Sequence, residues 1–176
     1  MEGVTIMLSK KMEKALNGQI NAEMYSSYLY LAMSAYFEST GLGGFSRWMQ
    51  AQAQEELIHA MKFYHFVNER GGRVMLEAIE APTSKWKSPL AVFQATYAHE
   101  QKVTGLINGL ADLAVKEKDH ATNSFLQWFV TEQVEEEATA GDIVNKLKLV
   151  SDAPGGLFLI DRELGARAFP APSTTD

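Results

Sequence analysis

The chain has 176 residues, a net charge of −6 and no cysteine. That is long enough to bury one core, and the missing thiols exclude disulfides, iron–sulfur clusters and thiolate zinc sites. The acidic balance, with no basic block, argues against nucleic acid as a partner and suits cations. No apolar run approaches the ~18 residues of a membrane span, and the first eleven residues lack a signal-peptide pattern, so a cytoplasmic location is expected.

The first segment, about 9–38, has a helical period: Leu16, Ile20, Ser27, Tyr30 and Ser34 share a stripe, with Met12, Met24 and Leu31 beside it. Ser9 suits an N-cap, and the run Thr40-Gly41-Leu42-Gly43-Gly44 stops the helix. Glu23 stands inside the stripe. The second segment, about 44–70, carries Glu56 and His59 on one face, three residues apart, on a stripe continued by Met49, Ala53, Phe63 and Phe66. Gly71-Gly72 ends it as a C-terminal glycine cap would.

The third segment opens at Ser88-Pro89, a strong start signal, and runs over about 89–118, with Phe93, Val103 and Ile107 on its buried face and Glu100 among them. The fourth, about 119–150, starts at Asp119 and has the stripe Phe125, Phe129, Gln133, Glu136, Ala140, Ile143 and Leu147. A short apolar helix is expected over 156–164, then a disordered tail from about 168 to 176. Met24, Met49, Phe63 and Trp128 read as core residues. Gly105, Gly109 and Gly141, inside helices, suggest close helix approach or a bend.

Short connections join segments one to two and three to four, so each pair should form an antiparallel hairpin. Residues 71–87 separate the second and third segments. A helix of that size is about 40 Å long, and an extended connection of this length reaches about 56–61 Å. It can therefore run the length of the bundle, letting helices two and three point the same way. The expectation is an all-α four-helix bundle with one long crossover, in a single domain over 1–176.

Glu23, Glu56, Glu100 and Glu136 each fall near the middle of a different helix, so all four can meet at one level, with His59 and Gln133 beside them. Taken singly, a buried glutamate is more often a boundary residue, and a lone core histidine is more often simply hydrogen-bonded. Four such carboxylates are harder to dismiss, because burying uncompensated charge costs several kcal/mol per group. They must either hold protons at raised pKa or be balanced by two divalent cations. Oxygen ligands with one imidazole suit iron or manganese.

The stretches Gln19-Ile-Asn-Ala-Glu23-Met-Tyr-Ser-Ser-Tyr-Leu-Tyr30, Gln54-Glu-Glu-Leu-Ile-His59, His99-Glu100 and Phe125 to Glu137 closely resemble the non-haem ferritins of bacteria and archaea, over about residues 9–165. The resemblance implies a ferritin-like bundle that acts as a ferroxidase, oxidising Fe(II) with oxygen or hydrogen peroxide, and that stores ferric mineral in a shell of 24 copies. It assigns a first iron to Glu23, Glu56 and His59, with Glu56 bridging to a second held by Glu100 and Glu136 beside Gln133. It assigns a third iron site to Glu55, Glu132 and Glu135. Tyr30 would stand beside the centre as an electron donor, and Trp128 could relay an electron. Glu137 reads as part of a solvated face.

Symmetric di-iron bundles carry two Glu-x-x-His motifs. Here the fourth helix has Gln133-x-x-Glu136 instead, and an amide is the weaker ligand. The second iron should then be held less firmly than the first. This departure weakens the alternative of a peroxide-reducing di-iron oxidoreductase of the rubrerythrin or bacterioferritin type. Leu57 leaves no methionine where bacterioferritins ligate haem, so no haem is expected. The residues over 156–164 argue against a DNA-protecting mini-ferritin, and Leu157, Phe158, Leu159, Ile160 and Leu164 should be buried at a subunit junction.

Overall fold

The structure, a computed structural model, describes residues 7–153 and 155–171. Among them lie five helices and no strand: α1 (Lys10–Ser39), α2 (Gly43–Glu69), α3 (Pro89–Glu117), α4 (His120–Leu149) and α5 (Gly156–Leu164). None is long and apolar enough to cross a membrane.

The capping chemistry explains the boundaries. Ser9, Ser88 and Asp119 accept from the backbone N–H of Met12, Ala91 and Thr122 at 3.0, 3.1 and 3.0 Å, satisfying donors that the first helical turn leaves free. Gly71, at φ 68°, ends α2. It lets Gly72 N reach Val67 O at 2.9 Å while its own N–H takes Asn68 O at 3.0 Å, a left-handed finish that a side chain would strain. α2 has no N-cap side chain of its own. Its start is capped from α5, where Asp161 Oδ1 accepts from Phe45 N at 3.0 Å. The two elements pass so closely that a Cβ on Gly44 would lie 1.7 Å from the Asp161 carbonyl oxygen.

The crossover, residues 70–88, sets the topology. It leaves α2 beside the start of α1, where Leu8 N meets Arg70 O at 3.4 Å. It then follows α1: Asn17 binds Arg73 O at 2.9 Å and Met75 N at 2.7 Å, and Asn21 binds Ala78 O at 3.1 Å. It arrives at the far end with Trp86 against Tyr36, ring centroids 5.6 Å apart. Having travelled back along α1, the chain begins α3 at the end where α2 began, so α2 and α3 run parallel, as the loop length requires.

Two apolar cores fill the bundle. One gathers Tyr30, Met33, Phe37, Phe45, Phe93 and Ile143; the other gathers Met12, Leu16, Phe63, Val67, Ile107 and Leu126. Each long helix passes from one core to the other, and the polar residues buried between are Gln19 and Glu23, then Gln52, Glu56 and His59, Glu100, and Gln133 and Glu136. A polar layer therefore separates two hydrophobic halves.

Some side chains depart from the sequence reading. Leu31 is 49% exposed and Trp128 is 42% exposed, while Met24 and Ser27 are half-buried. Each lies at the rim of its helical stripe, where one residue of angular drift takes a side chain out of the core. Gly105 and Gly109 have open space where a Cβ would be, so no close approach explains them, whereas Gly141 faces the Tyr97 ring at 3.5 Å. The tail expected to be disordered from 168 is seated at its start, with Arg47 over the Phe169 ring at 4.7 Å; the expectation for 172–176 falls outside the described residues. On α5, Ile160 and Leu164 are buried, but Leu157, Phe158 and Leu159 stay exposed on the single chain.

Candidate metal centre

The four mid-helix glutamates converge. Glu23, Glu56 and His59 offer ligand atoms that all lie within 4.8 Å of one another, and so do Glu56, Glu100 and Glu136. Glu56 is common to both groups, as a bridging carboxylate would be. Its Oε2 lies 3.3 Å from His59 Nδ1. All five side chains are buried.

The electrostatics are those of a site short of positive charge. Burial, reinforced by Glu56, drives the Glu23 carboxyl well above the ordinary carboxylate range. Burial, with Glu100 and Glu136 adding repulsion, does the same to Glu56. Glu100 is raised by burial too, and Glu136 is pushed up to about 8 by burial and by Glu100. As protein alone, the layer holds protons near neutral pH. Divalent cations would displace them, so metal binding must release acid. Glu23 Oε2 is buried with no hydrogen-bond partner among the described residues, which leaves a carboxylate oxygen free for a cation. The donor set fits iron.

A set of amides orients the carboxylates. Gln19 donates to Glu23 at 2.8 Å. Gln52 donates to both Glu56, at 3.1 Å, and Glu136, at 2.8 Å. Gln133 donates to the Glu100 carboxylate and its backbone carbonyl, each at 3.2 Å. Gln133 thus stands at the centre as a hydrogen-bond donor to a ligand. Gln19 and Gln52 escaped the sequence reading; the signal was a glutamine four residues before a mid-stripe glutamate, on the same helical face. Tyr30, fully buried, donates its hydroxyl to Glu100 Oε1. Burial, then Glu100 and Glu56, hold its phenol well above its usual range, so it is a protonated donor. Beside it, His99 Nε2 lies 2.8 Å from Ser26 Oγ, and burial, with Lys102 adding, lowers its pKa to about 4.

The third set of acids is brought together less completely. Glu132 is half-buried and groups with His59 and Glu136. Its carboxyl is raised by burial first, with Glu135 and Glu55 among the charges that add to the rise. Glu135 is exposed, and Glu55 is bound by Arg167 at 2.5 Å. Glu137 is not part of a freely solvated face: it accepts from Thr104 Oγ1 at 2.6 Å, a bond across α3 and α4 that sequence spacing could not show. Trp128 lies edge-on to His59, centroids 5.4 Å apart, with Lys62 Nζ over its ring at 4.2 Å.

A parallel-crossed helical bundle with a layer of carboxylates and one imidazole defines the class of dinuclear metal-binding bundles. Comparison with known proteins narrows this. Residues 13–150 match the ferritin-like domain family model. The bacterial non-heme ferritin of Bacteroides fragilis is 48% identical over 161 residues, covering 92% of this chain and all of that one. That of Staphylococcus aureus is 40% identical over 163 residues, 93% of this chain and 98% of that one. A crystal structure of the open-pore ferritin of Archaeoglobus fulgidus superposes with a TM-score of 0.91 at 58% identity, covering 92% and 98% of the two chains. The chain belongs to the ferritin family, as a non-haem ferritin of the bacterial and archaeal kind, and its function is iron storage.

Proposed function

We propose that this chain is a ferroxidase whose dinuclear centre takes Fe(II) as substrate and passes ferric iron to a mineral store. Glu23, Glu56 and His59 would hold the first iron, and Glu56, Glu100 and Glu136 the second. The observation that carries this reading is the shared Glu56 inside a layer where all four carboxylates are raised by burial. Two Fe(II) ions supply the two electrons that reduce oxygen to hydrogen peroxide, or hydrogen peroxide to water. Tyr30 stands ready to give a further electron, its proton passing to Glu100, and Trp128 beside His59 offers a path to the surface. Gln133, occupied with Glu100, contributes no charge, which supports weaker retention of the second iron. Glu55, Glu132 and Glu135 form a third position through which iron leaves the centre.

The chain acts as one domain in a cytoplasmic homo-oligomer, 24 copies forming a hollow shell. Exposed Leu157, Phe158 and Leu159, at 36, 68 and 65%, would be covered at a junction between copies, since a stripe this apolar is unfavourable in water. The open-pore ferritin of Archaeoglobus fulgidus supports a multi-subunit assembly.

The test is oxidation of Fe(II) in air by metal-free protein beside the Glu56→Ala/His59→Ala variant, followed by sizing of the product with iron detection. Fast oxidation, lost in the variant, with iron in a large particle, is expected. Retention of only about two irons per chain through many turnovers would favour the peroxide-reducing oxidoreductase instead. Equal, slow rates in both proteins would overturn the proposal.

A further inference from the structure

The segment after α5 returns to the metal region. Gly165 packs against Gly44, where a Cβ would meet the Gly44 Cα at 3.2 Å. Phe169 lies on Arg47. Between them Arg167 spans two partners on α2. One nitrogen, Nη2, binds Glu55 Oε2 at 2.5 Å, and the other, Nη1, reaches the Trp48 carbonyl at 3.4 Å. The guanidinium carbon sits 4.3 Å from the centroid of the Trp48 ring. Arg167 and Glu55 are only 20% and 28% exposed as side chains.

Glu55 is one of the three acids proposed to take the third iron. The guanidinium occupies Glu55 Oε2 and sets a positive charge beside the carboxylate, so a cation arriving there meets one ligand oxygen already taken and a like charge next to it. We infer that Arg167 is a resident counter-ion of the third iron position, a competitor that entering iron must displace from Glu55 and that keeps iron there only in transit. The inference rests on the third-site reading above and adds a residue to it.

The geometry lets the exchange occur without undoing the segment. Asp161 on Phe45 N, Gly165 on Gly44 and Phe169 on Arg47 hold the chain on both sides of Arg167. Its stacking on Trp48 and its Nη1 contact do not involve Glu55. The guanidinium can therefore release one carboxylate while keeping its apolar and backbone contacts. A lysine there would keep the charge but lose the planar fork. Among the described residues, no arginine or lysine hydrogen-bonds the carboxylates of the dinuclear centre. The competition is confined to the third position.

The experiment is anaerobic Fe(II) titration of the metal-free, assembled protein by calorimetry, comparing wild type with Arg167→Gln, Arg167→Lys, Phe169→Ala and Glu55→Gln. Wild type should bind three ions per chain, the third most weakly. Arg167→Gln should tighten that third class about five- to tenfold, the scale of one partly buried ion pair released from competition, and leave the first two unchanged. Arg167→Lys should stay within about twofold of wild type. Phe169→Ala, which loosens the segment without touching Glu55, should not shift it, and Glu55→Gln should lose the third class. Three ions with equal third-class affinity in wild type and Arg167→Gln would overturn the role of Arg167 while leaving the third position standing. So would a weaker third ion in Arg167→Gln, or equal tightening by Phe169→Ala. Two ions per chain in every protein would overturn the third position and this inference together.

Discussion

The proposed dinuclear layer and the proposed third position are built from the same residue type under opposite rules. In the layer, Glu23, Glu56, Glu100 and Glu136 are enclosed by two apolar cores, oriented by glutamine amides and, among the described residues, given hydrogen bonds by no lysine or arginine. At the third position, Glu55 is held by Arg167, Glu132 is half-buried with Lys62 nearby, and Glu135 faces solvent. Desolvation without compensation would make the layer a strong binder of divalent ions, because the ion would relieve a penalty already built into the fold. Where water and an arginine already supply compensation, an added ion gains little. The difference suits a centre that captures iron and an exit that lets it go.

Removing the charge from the layer should give the largest effect. Glu100→Leu combined with Glu136→Leu should lower Fe(II) oxidation by about 100-fold or more, beyond the 10–100-fold typical of changes to residues that merely support ligands. The same change relieves carboxyl burial but strands the Tyr30 hydroxyl, so the metal-free protein should gain no more than about 1 kcal/mol. Urea denaturation and oxidation rates on one preparation would check both, and a destabilised variant would break the comparison.

Next comes pH. Glu136 holds its proton to about pH 8 in the fold, against an ordinary 4.5. Between those values the folded chain keeps a proton that the unfolded chain has released, so this contribution to stability is fully present below about pH 4.5 and lost as pH rises to 8. Metal-free protein should lose on the order of 5 kcal/mol across that window, seen as a fall in Tm of about 10–20 °C. A saturating divalent ion should flatten the slope, since it replaces the protons.

Gln52→Leu keeps the volume and removes the donor shared by Glu56 and Glu136. Affinity for the first two irons should fall about tenfold, by anaerobic titration, with the third little changed. Glu135→Gln should be the mildest: it is exposed, so screening should limit the loss in third-ion affinity to about twofold. A larger loss would show that the third position is less solvated than its exposure implies.

Much of this was legible beforehand because helices are periodic. Glu23, Glu56, His59, Glu100 and Glu136 could be placed on apolar stripes from spacing alone, and near mid-helix from where the caps fell. The crossover length bounded the direction of α3. What stayed hidden were contacts between elements far apart in sequence: Asp161 capping α2, Thr104 binding Glu137, Arg167 on Glu55. Trp128 was misjudged because a stripe has edges, and spacing does not say which edge residue faces water.

By itself, then, the order of amino acids determined the helices, their starts and stops, and a set of carboxylates too costly to bury without compensation, since these follow from 3.6-residue periodicity and local backbone chemistry. Only the tertiary structure decided that glutamines aim the layer, that Thr104 binds Glu137, and that an arginine from the far end of the chain reaches one acid of the proposed third set. Those depend on how helix axes approach and on ångström-scale side-chain reach, and no one-dimensional pattern carries either.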